Sequence, residues 1–238
     1  MVIRPSKNYH TRPDIVNIGH EIRTPLNAIV GFSSVLGDSS FSEESKKKIL
    51  KMIQNNTVSL LSMIEQIQEL MQLDTNNIVF NWQQVDINAL CIETISKLQM
   101  LTSNKQTILF KPPCSSFYLE TDESYLHKLL SQLLSNAIKF STHNPIIVSY
   151  EVRRKFVRFY ISNNGPEIPR SKYKLIFNRG IKLNPDQHGL GLGLAISKEI
   201  IKRLGGRIFI DRTYRTGCRV IFTHPIHYNA GSISAIAT

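Results

Sequence analysis

The sequence predicts an α-helical hairpin followed by an α+β sandwich, and three features of its 238 residues point there. Up to Asp74, apolar side chains recur at three- and four-residue steps, the period of a helix with one buried face. Beyond Asp74, short β-rich runs are interspersed with helical ones, which is the texture of a separate α+β domain. The stretch from Gly165 to Gly193 follows neither period, and irregular segments of that length inside compact domains are usually functional lids. The expected organisation is a leader over 1–12, a helical domain over 13–74, an α+β domain over 75–226 and a flexible tail over 227–238.

The first helix is expected from Pro13 to Leu36, with Ile15, Ile18, Ile22, Leu26, Ile29 and Leu36 on one stripe and His20 off it, toward solvent. Pro25 has no N–H for the carbonyl of Glu21, so the helix should kink just after the histidine. Gly37-Asp38-Ser39 ends it, and Ser40 with Glu43 reads as a capping box that opens a second helix, whose dipole suits Glu43 and Glu44. In that helix Ile53, Thr57, Leu60, Ile64, Ile67 and Met71 trace a near-heptad seam. Two helices enclose little apolar surface, whereas two hairpins make a four-helix bundle, so the pattern implies a homodimer. In the second domain strands are expected over 78–85, 107–110, 117–120, 146–151 and 157–162, with helices over 87–101 and 123–140. A last helix over 194–204 is closed by Gly205-Gly206 and followed by strands over 207–211 and 219–223.

A hydrophobic content of 42% suits a core-forming protein, and no apolar run approaches the ~18 residues that cross a bilayer. Cys91, Cys114 and Cys218 lie far apart without metal-ligand spacing, which fits a reducing, cytoplasmic setting. The net charge of +11 is spread along the chain without interleaved aromatics, so no nucleic-acid partner is expected. An acidic protein docking on the helical domain is the more specific reading of that charge.

The chemistry resides in short runs. Gly19-His20-Glu21-Ile22-Arg23-Thr24-Pro25-Leu26 puts a nucleophilic imidazole beside a carboxylate on a kinked helix, the parts that phosphoryl transfer to nitrogen requires. Alone it could equally be an exposed histidine that happens to precede a glutamate. Leu133-Leu134-Ser135-Asn136-Ala137-Ile138-Lys139-Phe140 and Gly189-Leu190-Gly191-Leu192-Gly193 follow it in order, the glycines opening an apolar helix whose N-terminus favours phosphate. Asn163-Asn164-Gly165 and Ile176-Phe177-Asn178-Arg179-Gly180 lie between them. In this order the runs resemble the catalytic core of a two-component sensor histidine kinase, a dimerisation and phospho-acceptor domain followed by a gyrase-type (Bergerat) ATP-binding domain.

The resemblance implies that His20 takes the γ-phosphate of ATP, that Glu21 orients and deprotonates its ring, and that the phosphoryl group passes to an aspartate of a response-regulator receiver. Thr24 falls in the family's acid-x-x-Thr phosphatase pattern, where it would position the attacking water. Asn136 would ligate Mg²⁺ and Lys139 neutralise phosphate charge, with Phe140, Asn163, Gly165, Arg179, Gly189, Gly191 and Gly193 completing the nucleotide site. The resemblance also implies an upstream sensor, membrane-anchored and outside this chain.

The chain departs from the family at Asn163, where aspartate is usual, and at Glu167, where glycine is usual. Gly180 replaces a phenylalanine and removes an apolar anchor from the lid, while Gln132 and Tyr125 stand for an asparagine and an arginine. An amide at 163 can still accept from the adenine amino group without charge assistance, giving weak ATP binding; with its NH₂ turned to the base it would accept guanine O6 instead. Weak ATP binding is the expectation. The alternative reading is a degenerate kinase acting as a dimeric scaffold, phosphatase or phosphotransfer module. A gyrase-like or chaperone-like ATPase fits less well, because of the run around His20.

Overall fold

A computed structural model describes residues 13–37, 41–74, 79–101, 107–142, 145–184 and 189–226. They form two compact units, one from the N-terminal helices to Leu70 together with Arg179–Leu192, the other comprising Met71–Asn178 and the chain from Gly193 onward.

In the first unit, α1 (Pro13–Val35) and α2 (Glu43–Asp74) make the expected hairpin. Ile18, Ile22, Ile29 and Leu36 are half-buried as their spacing predicts, and Pro25 is buried with them inside the helix. Leu26 is a correction to the expected stripe, since it lies exposed beside Val30 on an adjoining face. Ser40 lies outside the described residues, and the cap of α2 is Ser42, whose Oγ accepts from Ser45 N at 3.3 Å. The expected seam of α2 also divides. Ile49, Met63 and Leu70 are buried and Ile53, Leu60 and Ile67 half-buried, whereas Thr57, Ile64 and Met71 are exposed. The reason is angular: at ~100° per residue, a step of three and a step of four place residues about 60° to one side and about 40° to the other of the Ile53–Leu60–Ile67 row. Only the first side packs within the chain, and a second apolar stripe of Leu50, Leu61, Ile64 and Met71 is left outward.

The second unit is a mixed sheet layered with helices. The strands β1 (Trp82–Asp86), β2 (Ile108–Lys111), β3 (Tyr118–Asp122), β4 (Ile146–Val152), β5 (Phe156–Asn163), β6 (Arg207–Ile210) and β7 (Cys218–Pro225) alternate with α3 (Ile87–Leu101), α4 (Glu123–Phe140) and α5 (Gly193–Arg203). The main sheet runs β2-β4-β5-β7-β6, with β2 parallel to β4 and the other pairs antiparallel, and β1 pairs with β3 alone. Alternation explains the layering: Ile146, Val148 and Tyr150 of β4 and Val157, Phe159 and Ile161 of β5 are buried at every second position. Leu126, Leu129, Leu130, Leu133, Leu134 and Ala137 of α4 are buried at helical spacing, and Phe159 stacks on Phe222 at 4.5 Å.

Element ends follow local chemistry. Asp122 caps α4 by accepting from Tyr125 N at 3.0 Å, and its other oxygen accepts from Asn81 N at 2.8 Å. That second bond shortens β1 to Trp82–Asp86, against the expected 78–85, because Asn81 bonds to a side chain rather than to a ladder partner. At the other end, α5 closes through Gly205 at φ 82° and Gly206 N donating to Ile201 O at 2.7 Å.

Candidate functional site

His20 is exposed on α1, and Thr24, one turn on, donates through Oγ1 to the His20 carbonyl at 3.2 Å. Glu21 turns elsewhere. Its Oε1 accepts from Lys182 Nζ at 2.5 Å and its Oε2 from Gly189 N at 3.3 Å, both from the 179–192 segment of the same unit. A carboxylate held through both oxygens must let go before it can act on the imidazole. Lys182 is a residue that sequence reasoning missed, since nothing distinguishes it from the other lysines of a long irregular stretch.

In the second unit, the C-terminal half of α4 carries Gln132, Asn136, Lys139 and Phe140. Gly193, the first residue of α5, fits against this face: a Cβ there would lie 2.9 Å from Gln132 Oε1 and 3.7 Å from Asn136 Nδ2. Gln132 thus stands where the chain needs a short approach between two helices. Lys139 is exposed, its Nζ 5.7 Å from the centre of the Phe140 ring.

Asn163 ends β5 and is buried, and among the described residues its Nδ2 has no hydrogen-bond partner. Gly165 lies beside it; an added Cβ would meet Phe140 O at 2.1 Å and Asn163 Nδ2 at 2.7 Å, so no larger residue fits there unchanged. The backbone of Asn163 is fixed from behind. It is opposite Cys218 in the β5–β7 pair, and at Gly217, with φ 132°, a Cβ would come within 2.2 Å of Asn163 O. Next to it, Ser162 Oγ accepts from Arg219 Nε at 2.8 Å, and the same guanidinium lies 4.0 Å from the Tyr214 ring centre and pairs with Asp211 at 3.4 Å. Asp211 is held below the ordinary aspartate range: burial opposes this, but two hydrogen bonds from Thr213 and the Arg219 charge outweigh it. Burial pushes the Cys218 thiol up to about 11, which keeps it protonated and unreactive.

Glu167 is exposed. Ile176 and Phe177 pack with Ile210 in a small core that also takes Ile168, Tyr173 and Leu194. Within the 179–192 segment, Arg179 is half-buried, and Gly180, Gly189 and Gly191 have φ of 71°, 123° and 66°. His188, the histidine beside the glycine run and by position the rival to His20, lies outside the described residues. At Gly191 the left-handed backbone is doubly required, because a Cβ would also touch Gly180 C and Ile181 O at 3.0 Å. Among the described residues, no helix is long and apolar enough to cross a membrane.

A nucleotide is compatible with the second unit on two counts: among the described residues the buried Nδ2 of Asn163 has no hydrogen-bond partner, and α5 opens at Gly193, where a helix N-terminus favours phosphate. Residues 15–76 match the family described as His Kinase A (phospho-acceptor) domain, and residues 121–228 match the histidine kinase-, DNA gyrase B- and HSP90-like ATPase family. Sensor histidine kinase WalK of Bacillus subtilis (strain 168) is 26% identical over 222 residues, which are 90% of this chain and 36% of that protein. The chain thus spans little more than a third of that relative's length. Among solved structures, histidine kinase ThkA in complex with response regulator protein TrrA superposes with a TM-score of 0.74 at 24% identity, covering 90% of this chain and 61% of that one. Full-length ShkA in complex with AMPPNP gives 0.69 at 22% identity, over 90% of this chain and 46% of that one. At these identities the structural likeness shows the fold, a helical dimerisation-type hairpin joined to a Bergerat ATPase sandwich. With a phospho-acceptor domain and an ATPase domain in this order, the chain belongs to the sensor histidine kinases, as their catalytic core.

Proposed function

We propose that the chain autophosphorylates His20 from ATP and passes the phosphoryl group to an aspartate of a response-regulator receiver. What carries the reading is the pairing, in one chain, of an exposed histidine beside Glu21 with an ATPase unit in which, among the described residues, the buried Nδ2 of Asn163 has no hydrogen-bond partner. ShkA was solved with AMPPNP and ThkA with a response regulator, which supports the same substrate and partner here.

In this reading ATP is the phosphoryl donor, and Mg²⁺ would screen its charge when held by the side-chain oxygen of Asn136. Lys139 and Arg179 supply positive charge against the developing negative charge on the phosphates, and Gly189, Gly191 and Gly193 supply backbone N–H groups at and before the N-terminus of α5. Asn163 and Gly165, with Phe140, receive the base. Glu21, released from Lys182 and Gly189 N, takes the proton from one nitrogen of His20 while the other attacks. Thr24, one helical turn away, positions water for dephosphorylation of the receiver. The outward stripe of Leu50, Leu61, Ile64 and Met71 is covered by a second copy in a four-helix bundle.

Incubation with γ-labelled ATP tests the proposal. Acid-labile, base-stable label is expected on the wild type and none on His20→Gln. Persistence of that label in the variant refutes the assignment of His20, and nucleotide binding with no label on the wild type favours the degenerate, scaffold-type reading.

A further inference from the structure

The basic surplus of the chain is unevenly placed. Over residues 13–74 eight carboxylates stand against five lysines and arginines, so the helical domain is itself acidic and the net charge of +11 lies elsewhere. Much of it lies on the outer face of the main sheet. The pairing register lines up Lys111, Ser149, Tyr160, Ile221 and Phe209 in one row across the five strands, and Glu151, Arg158, Thr223 and Arg207 in the next. Both rows point away from α4 and α5, because the alternate residues of β4 and β5 are the buried ones on the helix side. Leu109 and Phe209 are exposed on the two edge strands of this face, and Arg158 and Tyr160 in its middle are half-buried. Lys111, Arg158, Arg207 and Arg219 stand on it, with Arg153, Arg154 and Lys155 in the turn from β4 to β5 and Arg212 and Arg215 in the turn from β6 to β7. Against them are two carboxylates, Glu151 and Asp211. We infer that this outer face, on the other side of the sheet from the proposed nucleotide site, docks an acidic protein surface.

Charge and composition choose the occupant. The same face of a second copy is excluded by like charge, and in the helical domain Glu43 and Glu44 are already matched by Lys46 and Lys48. Residues 1–12 and 227–238 contain no aspartate or glutamate, so they do not complement the face either. A nucleic acid would stack its bases on open rings and bring phosphates to the cations. Here the rings are already covered, Phe156 by Arg158 at 5.3 Å, and Tyr160 and Tyr214 by Arg219 at 5.9 and 4.0 Å. Glu151, which accepts from Arg153, Arg158 and Tyr160, would also repel a phosphate. Arginine and aromatic side chains held in place in this way are what protein interfaces are enriched in, and cations at the rim steer an acidic partner. Strands about 4.8 Å apart make the face about 20 Å across, or on the order of 400 Å². With its turns that is the small end of interface sizes, which suits a weak, transient and salt-sensitive contact.

The probe is a short fluorescein-labelled peptide of aspartate and glutamate with two phenylalanines, titrated into the full chain by anisotropy at about 50 and about 150 mM salt. Lys111→Glu combined with Arg207→Glu, both at exposed positions, should weaken binding about tenfold or more. Lys47→Glu combined with Lys51→Glu makes the same change in net charge at exposed positions of α2 and should weaken it less than about threefold. Equal losses in the two variants, or no binding by the wild type, overturn the inference. Carbodiimide coupling of the peptide to the wild type gives a reading that needs no variant. Amide bonds are expected at Lys111 and Lys155, and bonds formed chiefly at Lys46, Lys47 or Lys48 overturn it. A single-stranded oligonucleotide, or phosphatidylserine vesicles, binding the wild type more tightly than the peptide and losing that binding in the sheet variant, overturns it as well.

Discussion

Ile64→Asp is the perturbation that separates the fold of one hairpin from its pairing with a second. Ile64 is 40% exposed in the single chain, flanked by Leu61 at 55% and Met71 at 65%. Burying an isoleucine fully is worth about 1.5–3 kcal/mol, so the share still open to a partner is worth about 1 kcal/mol per subunit, or about 2 across a two-fold interface. An aspartate enclosed there without a partner adds about 3 kcal/mol or more per copy. Together the dimer should lose about 8 kcal/mol, more than 10⁵ in dissociation constant by the usual conversion of about 1.4 kcal/mol per tenfold. In the separated hairpin the same carboxylate reaches water, and the cost falls below about 1 kcal/mol. Sedimentation velocity at micromolar concentration should therefore find a dimeric wild type and a monomeric variant of unchanged helicity. Met63→Asp is the contrast, since Met63 is 4% exposed and packs within the chain, so that variant should lose helicity as well. A variant at Ile64 that stays dimeric, or a well-folded monomeric wild type, refutes the bundle.

Two further outcomes follow from the geometry. Thr24→Ala should abolish stimulated dephosphorylation of a receiver while leaving His20 labelling within a few-fold of wild type, because Thr24 Oγ1 donates to the His20 carbonyl rather than to its ring; an unchanged dephosphorylation rate removes the role. Gly180→Phe, which restores the residue usual in the family, should destabilise rather than help, because φ is 71° there and a side chain in that region costs about 1–2 kcal/mol. Scanning calorimetry should show a melting temperature lower by roughly 2–8 °C, and a rise would contradict the backbone argument.

The fold was legible where one period rules a segment. Helices expected over 87–101 and 123–140 occur with those limits, because α4 repeats its buried leucines at three and four residues and Asp122 and Asp86 supply caps at the right places. The one expected cap that differs, that of α2, needed tertiary information. Ser42 could not be preferred to Ser40 from sequence, since both are hydroxyls ahead of an acidic turn and only the path of the chain decides which one meets Ser45 N. The seam of α2 misled for a related reason. Steps of three and four starting at Ile53 describe two stripes as readily as one, and which of them is buried is set by what packs on the helix rather than by the pattern.

The candidate site divides along the same line. Asn136, Asn163, Gly165 and Gly193 belong to contiguous runs of unusual chemistry, and the structure sets Gly193 against Asn136 and Gly165 against Asn163. Lys182 meets Glu21 across 161 positions, and no local pattern encodes such a meeting. Gly180 shows how far a motif alone can mislead. As a letter in a pattern it is a missing phenylalanine, and the pattern says that putting one back should improve the lid. As a residue it has a φ of 71°, so its backbone now uses the freedom that only glycine has, and a Cβ on the neighbouring Gly191 would come within 3.0 Å of its carbonyl carbon. A substitution that departs from a family can therefore be part of a local solution, with its own backbone and its own neighbours, in which the usual residue no longer fits.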